Sequence, residues 1–356
     1  MRKFMKNLRI VHCGIFNEFD DGNFFYGLER KISHGLHQNG HFVYDFSYRD
    51  WERNLRFCGI KNSGIKKMNQ KLIEICKNIN ADVLFITKAE KIENETLLEI
   101  KKALPNIKIA MWYVDHLEEK AEFFEKFKII DAFFYANALK LKELSNKYKN
   151  TLFSFFPNIS DEAFEIDLNL SKTNDIIYIA RDYKEDNRYK FALMLHEFCK
   201  KNSIKHKIYA SLGNKPVFGY DFLKAINESK IAINFNRDDE LDCESSNKLL
   251  GASDRMAQFL GFGACTFSPV ITGFDKLYEP NKDIIYFKNF KDCSDKILAI
   301  LKSNEWKQIG KNGREKTLKI ANAKRVTKFM LELLFNKNFS QDYEWKEFIY
   351  KNGELI

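Results

Sequence analysis

The chain has no long apolar run. Its longest, such as the stretch 109–114 (Ile-Ala-Met-Trp-Tyr-Val), are the length of a strand and far short of the ~18 residues of a membrane span. The basic opening MRKFMKNLRI is not followed by an apolar core of signal length, so neither a leader nor a span is expected, and any membrane contact is expected to be peripheral. Paired cysteines are missing too. There are seven, an odd number, with no Cys-x-x-Cys, and Cys13, Cys76, Cys199 and Cys265 sit in apolar segments, as reduced and buried thiols do. That pattern excludes a disulfide framework and points to the cytoplasm. The Gly-x-Gly-x-x-Gly fingerprint is absent: a lone Gly14 follows the first apolar run, which argues against a nicotinamide-dependent enzyme. Despite a net charge of +9, no basic block is interleaved with aromatics and no RNA-binding or zinc module is present, so nucleic acid is not an expected partner. Lysines spread over a solvated surface account for the charge.

What is there suits two domains with sizeable cores: 356 residues, 45% hydrophobic, including 33 phenylalanines. The first half alternates strand-like runs (LRIVHCGIF, HFVYDFSY, ADVLFIT, IKIAMWYV, DAFFYANA, TLFSFFP) with helical periodicity over 23–39, 65–79, 95–104 and 117–127, and a lysine-rich helix before the last run. Residues 158–174 are polar and acidic and read as a linker. The pattern then repeats: strands DIIYIA, HKIYASLG, KIAINFN, ACTFSP and IIYFKN, and helices over 188–201, 220–229, 254–261, 291–302, 305–320 and 323–335. The tail YEWKEFIY reads as helical. Continuous apolar strands separated by helices imply parallel sheets covered on both faces. The expected organisation is an N-terminal domain over 1–157, a linker over 158–174, a C-terminal domain over 175–335 and a crossing helix or tail over 336–356. Two such α/β domains bind ligands in a cleft at the carboxyl ends of their strands.

One segment carries chemistry. Around 227–269 a helix leads into KIAINFN, a polar loop, an arginine-bearing helix start, Gly-x-Gly and a strand. Ser253, Arg255 and Gln258, then Gly261, Gly263, Ala264 and Cys265, and further on Ile309, Gly310, Gly313 and Arg314, resemble the C-terminal domain of GT-B glycosyltransferases, in particular the CgeB-like branch. The resemblance covers about 175–335 and is looser over LERKISHGLHQNGHFVYDFSYRD in the first half. It implies a fold of two Rossmann-like domains facing across a cleft, with a C-terminal helix packing back on the N-terminal domain. It also implies a metal-independent transferase with no cofactor, using a UDP- or GDP-linked sugar as donor. The physics agrees: a helix start and an adjacent guanidinium attract a diphosphate, and Gly261 and Gly263 permit close backbone approach. Where the family has a ribose-binding Glu this chain has Gln258, and Leu250 stands eight residues earlier in place of another Glu.

The donor candidates are Ser253, Arg255 and Gln258 on that helix; Arg181 and Arg188 after the first strand of the second half; Asn234, Asn236 and Arg237 at the end of KIAINFN; Gly273 after ACTFSP; and Gly14. Asp115 and His116, ending the fourth strand, are the catalytic candidates, with Asp20 and Asp21 as rivals for the base. Asp115 also suits a helix cap. His12 reads as a core residue, His34, His37 and His41 as surface residues, and the acidic loop Asp238–Glu244 as solvated rather than metal-binding. The expected function is transfer of a sugar to a glycan or lipid-linked acceptor in bacterial cell-surface polysaccharide synthesis, at the inner face of an anionic membrane. Gln258 and Leu250 favour a second reading, a non-catalytic GT-B partner that binds nucleotide or glycan. A sugar-nucleotide epimerase is a third.

Overall fold

The computed structural model describes residues 7–115, 117, 121–184, 186–237, 239–242 and 248–356, with Ala121 and Glu122 described by backbone alone. The chain falls into two compact units, one running to Pro157 and resuming at Ala323, the other spanning Asn158–Asn322.

The first unit contains β1 (Arg9–Gly14), α1 (Leu28–Gln38), β2 (Phe42–Ser47), α2 (Tyr48–Asn54), α3 (Ile65–Asn78), β3 (Val83–Thr87), α4 (Asn94–Ala103), β4 (Lys108–Tyr113), α5 (Ala121–Glu125), β5 (Ala132–Tyr135), α6 (Leu141–Lys147) and β6 (Leu152–Phe155). The second contains β7 (Asn174–Ile179), α7 (Asn187–Lys201), β8 (His206–Tyr209), α8 (Gly219–Asn227), β9 (Ser229–Ile233), α9 (Asp254–Gly261), β10 (Cys265–Pro269), β11 (Ile285–Phe287), α10 (Phe290–Ser303) and α11 (Trp306–Ile320). The chain ends in the first unit with α12 (Ala323–Leu334), β12 (Ile349–Lys351) and β13 (Glu354–Leu355).

Each unit is built on a parallel sheet. The first has the order β13-β12-β6-β5-β4-β3-β1-β2, the second β11-β10-β9-β7-β8. Both reverse direction beside their first strand, between β1 and β3 and between β7 and β9. At such a switch point the crossovers leave to opposite sides and open a crevice at the carboxyl ends of the strands. β3 and β5 are buried along their whole length, as a strand between two helical layers must be. In the second unit Phe191 of α7 stacks on Phe235, with ring centroids 4.5 Å apart, and fixes the backbone just beyond β9.

Three expectations are corrected. Helix α12 belongs to the first unit: a Cβ on Gly35 of α1 would lie 2.2 Å from the Ala323 carbonyl oxygen, so the glycine lets the two helices close. The tail has no helix among its described residues. β12 pairs antiparallel with β6, and β13 returns along β12. Asn352 and Gly353 join them with φ of 52° and 79°, the left-handed pair that a two-residue hairpin requires. Nor is 158–174 a free linker. Ser160 donates from Oγ to the Ala257 carbonyl at 2.5 Å, Asn158 donates to that of Ala252 at 2.8 Å, and Glu165 is fully buried. The segment is a strap packed on the second unit.

Candidate functional site

Of the sequence candidates of the second unit, Arg188, Asn234, Ser253 and Arg255 converge on the carboxyl ends of β7 and β9. β9 stops at Ile233, and Asn234 follows it fully buried. Its Oδ1 accepts from Ser253 Oγ at 2.8 Å and from Arg255 Nη2 at 2.9 Å. The same Nη2 reaches the Phe235 carbonyl at 3.0 Å. Arg188, in the first turn of α7, donates from Nε to that carbonyl at 3.2 Å and from Nη1 to the Arg181 carbonyl at 3.1 Å. Two guanidinium groups therefore converge on one peptide at the switch point, and that peptide is held by the stacked Phe235 ring.

Among the described residues neither arginine has a carboxylate within ion-pair distance. Burial, with the charge of Arg188 adding, lowers the Arg255 pKa to about 10. Burial likewise lowers that of Arg188, with repulsion from Arg237 added. The Nε of Arg255 is buried with no acceptor, and so is the hydroxyl of Tyr178, a fully buried residue of β7. Burial pushes the Tyr178 pKa up, against the weaker pull of Arg255 and Arg188, so the hydroxyl keeps its proton. Buried donors without acceptors are costly and uncommon. One of them on Arg255 itself and the other on Tyr178, with Arg188 as a second unpaired cation, make a place where an anion is favoured.

Asp239 closes the other side. It is buried, its Oδ2 accepts from the Asn236 backbone at 2.5 Å, and it pairs with the buried Lys248. The acidic loop is thus not simply solvated: this carboxylate holds the turn after β9, and Lys248 occupies it. Asp238 and Glu244 lie outside the described residues.

The remaining candidates are placed as follows. Ser253 caps α9, accepting at Oγ from Met256 N, while Asp254 accepts from Arg255 N at 2.8 Å. Those two N–H groups are already taken, so the site's positive character comes from side chains more than from the helix end. Gln258 is buried one turn after Arg255 on the same helix. Arg181 is exposed. Arg237 is also exposed and lies over the Tyr183 ring, 5.1 Å from its centroid. Gly273 has φ 78° in the turn after β10, which accounts for the glycine by itself.

Gly261 and Gly263 are not phosphate cradles. They end α9, about 12 Å along the helix from its start. A Cβ on Gly261 would lie 2.7 Å from the Glu165 side chain, and one on Gly310 would lie 2.2 Å from the Gly263 carbonyl oxygen. These glycines let the strap and α11 close on α9.

In the first unit Gly14 ends β1, where a Cβ would lie 2.9 Å from Glu29 Cγ. It serves the packing of α1. Asp115 is exposed and pairs with Lys88 at 2.5 Å; His116 and residues 118–120, where a capped helix start is expected, lie outside the described residues. Lys88 and Ala89 both have left-handed φ, 56° and 54°, beside the carboxyl end of β3. Asp20 and Asp21 sit in the turns after β1. His12 is a satisfied core residue. Trp112 Nε1 donates to its Nε2 at 3.2 Å, its Nδ1 meets Ser33 Oγ at 2.8 Å, and burial lowers its pKa to about 3. His41 is buried, not on the surface, and its Nδ1 accepts from Leu8 N at 3.2 Å.

Tyr178 and Lys248 escaped the sequence reading. Tyr178 stands in an apolar strand, and Lys248 gains meaning only from Asp239. The described residues contain no helix long and apolar enough to cross a membrane, and no group of three or more metal-ligating side chains.

Residues 184–332 match a family model described as glycosyl transferase-like, a span that contains α7, the turn after β9 and all of α9. No curated protein gives a match. Among solved structures the chain is similar to a glycosyltransferase from Rickettsia africae ESF-5 (TM-score 0.61, 12% identity, covering 93% of this chain and 98% of that one). It is also similar to Anabaena Alr3699/HepE in complex with UDP and glucose (0.55, 9%, 93% and 100%) and to the N-terminal domain of Candida albicans trehalose-6-phosphate phosphatase (0.56, 10%, 94% and 98%). At such identities the likeness speaks for the fold alone, and that fold is the GT-B one, two Rossmann-like units in a single chain.

Proposed function

We propose that the chain is a glycosyltransferase whose second unit binds a nucleotide sugar through its diphosphate. The observation that carries this is the pair of arginines, Arg188 and Arg255, without carboxylate partners at the β7–β9 switch point, together with the orphaned Arg255 Nε and Tyr178 hydroxyl. The glycosyl transferase-like match over 184–332 and the UDP-bound neighbour support the same reading. As the sugar leaves, negative charge grows on the diphosphate. Fixed cations with no carboxylate in ion-pair contact stabilise that charge without reorganising. Asn234 and Ser253 orient Arg255, and Gln258, on the same helix face, is the proposed ribose contact.

In this proposal the donor is UDP- or GDP-linked and the transfer needs no metal. Asp115, with His116 beside it in sequence, acts on the acceptor hydroxyl or the sugar, and the acceptor is a glycan or lipid-linked glycan of a bacterial surface polysaccharide. Membership of the CgeB-like branch and a place at the inner face of the membrane belong to the same proposal. The test incubates the protein with a panel of UDP- and GDP-sugars, with and without chelator and acceptor, and measures free nucleoside diphosphate and converted sugar. Release of diphosphate supports transfer. Tight binding without release supports the non-catalytic reading that Gln258 favours. Conversion of the donor without acceptor or release supports an epimerase. Absence of any nucleotide binding overturns the site.

A further inference from the structure

The first unit carries a feature that the sugar chemistry does not use. Between α2 and α3 the chain makes a tight loop that turns two large apolar side chains outward: Phe57 is 67% exposed and Ile60 58%. The loop is internally built rather than slack. Ile60 N donates to the Phe57 carbonyl at 2.9 Å, Phe57 N donates to Ser63 Oγ at 2.9 Å, and Ser63 Oγ donates to the Ile60 carbonyl at 2.6 Å. Cys58, Gly59 and Asn62 all adopt left-handed φ, at 47°, 72° and 68°. The loop is seated by Gly64, where a Cβ would lie 2.1 Å from the Glu52 carbonyl oxygen. Phe57 and Ile60 are thus held in water by a defined backbone, where burial would favour them.

Charge along the chain through the loop has one sign. From Arg53 to Lys71 there is no Asp or Glu, while Arg53, Arg56, Lys61, Lys66, Lys67 and Lys71 are cationic. Arg53, Arg56 and Lys71 are paired outside the stretch, with Asp50, Glu52 and Glu74. Lys61, Lys66 and Lys67 are exposed and have no carboxylate partner among the described residues. The last two stand in the first turn of α3, the end of a helix where cations are least favoured. Their presence there has no internal explanation.

We propose that this loop and the first turn of α3 form a docking surface for an anionic lipid bilayer, with Phe57 and Ile60 entering the headgroup–acyl boundary and Lys61, Lys66 and Lys67 meeting lipid phosphates. Exposed apolar side chains on a hydrogen-bonded loop, with exposed unpaired lysines following them in the chain, match both layers of that boundary. Two side chains on a convex turn are far from the ~800 Å² per partner of a stable protein interface, so a second protein is the poorer occupant. The proposal does not rest on the donor site, which lies in the other unit and is assayed separately.

The experiment is co-flotation of the full chain with vesicles of phosphatidylcholine alone and of phosphatidylcholine mixed with phosphatidylglycerol. Wild type floats with the mixed vesicles and not with the neutral ones, and salt weakens the association. Lys61→Ala/Lys66→Ala/Lys67→Ala lowers partition about a hundredfold. Phe57→Ser/Ile60→Ser keeps a salt-sensitive residue of binding but loses most of it. Both variants change exposed side chains, and an unaltered melting temperature confirms that they fold. Equal flotation with neutral vesicles, or mixed-vesicle binding unchanged in both variants, overturns the proposal. So does release of the bound protein by a single-stranded oligonucleotide at equal phosphate concentration, which would assign the surface to nucleic acid instead.

Discussion

Replacing Arg255 by Ala separates a binding residue from a structural brace. In the free protein the substitution removes hydrogen bonds to Asn234 Oδ1 and to the Phe235 carbonyl. Each acceptor keeps a second donor: Ser253 Oγ at 2.8 Å for Asn234, and Arg188 Nε at 3.2 Å for Phe235. No buried acceptor is orphaned, so the loss is two hydrogen bonds of about 1 kcal/mol each. Against it stands relief of a cation that burial and Arg188 disfavour. The melting temperature of the free protein therefore moves by less than about 4 °C. With a nucleoside diphosphate bound, the same arginine supplies one or two charge-assisted hydrogen bonds of about 1.5–3 kcal/mol each. Losing about 3 kcal/mol weakens binding roughly a hundredfold. At ligand one hundred times the wild-type Kd, ligand-induced stabilisation falls from about 2.7 to about 0.4 kcal/mol. Thermal shift with UDP and GDP reads this directly, and calorimetry gives the Kd. Arg255→Lys keeps the charge without the planar fork and falls in between. An Arg255→Ala protein that binds nucleotide as wild type does refutes the reasoning. One that unfolds without ligand shows that the guanidinium is a brace.

Tyr178→Phe deletes a buried hydroxyl that has no acceptor; the free protein gains up to about 1 kcal/mol, while nucleotide affinity falls about tenfold, both readable in one thermal-shift titration. Glu52 is fully buried between Arg56 and Lys91, and the Arg56 hydrogen bonds, with Lys91 adding, hold its pKa down to about 2 against the cost of burial. Because that value lies below the unfolded one near 4.5, the stabilisation is complete above pH ~4.5 and is lost as the pH falls from there towards about 2. Glu52→Gln therefore unfolds about 2–3 kcal/mol more easily at neutral pH, and the gap from wild type narrows on acidification; a gap independent of pH excludes the ion pair as its cause. Gly310→Ala puts a methyl 2.2 Å from the Gly263 carbonyl oxygen and 3.2 Å from Cys265 N, both backbone, and costs about 3 kcal/mol in urea. Gly59→Ala, with open space but φ 72°, costs about 1 kcal/mol.

What could be read without coordinates divides along a physical line. Parallel sheets were legible because strands such as Val83–Thr87 are apolar up to their last residue, and that pattern needs only the chain's own order. The hairpin at the end is not foreseen: the aromatic run before it has the look of a helix, and the two-residue turn signal Asn352-Gly353 is outweighed by it. The strap was hidden because its polar residues look solvated until Ser160 is seen to donate to Ala257 and Glu165 to sit against Gly261. The same difference runs through the site. Arg255 could be picked out from its place at a helix start, since a cation there is visible in one dimension. That it lacks a carboxylate could not, because the nearest candidate in sequence, Asp254, turns to its own helix backbone, and Asp239 is taken by Lys248. Whether an arginine is a surface charge or an anion site depends on who else claims it. That is decided by the competition among Asn234, Phe235, Arg188 and Tyr178 at one switch point, and those residues are brought together by β7, α7 and β9 rather than by any motif.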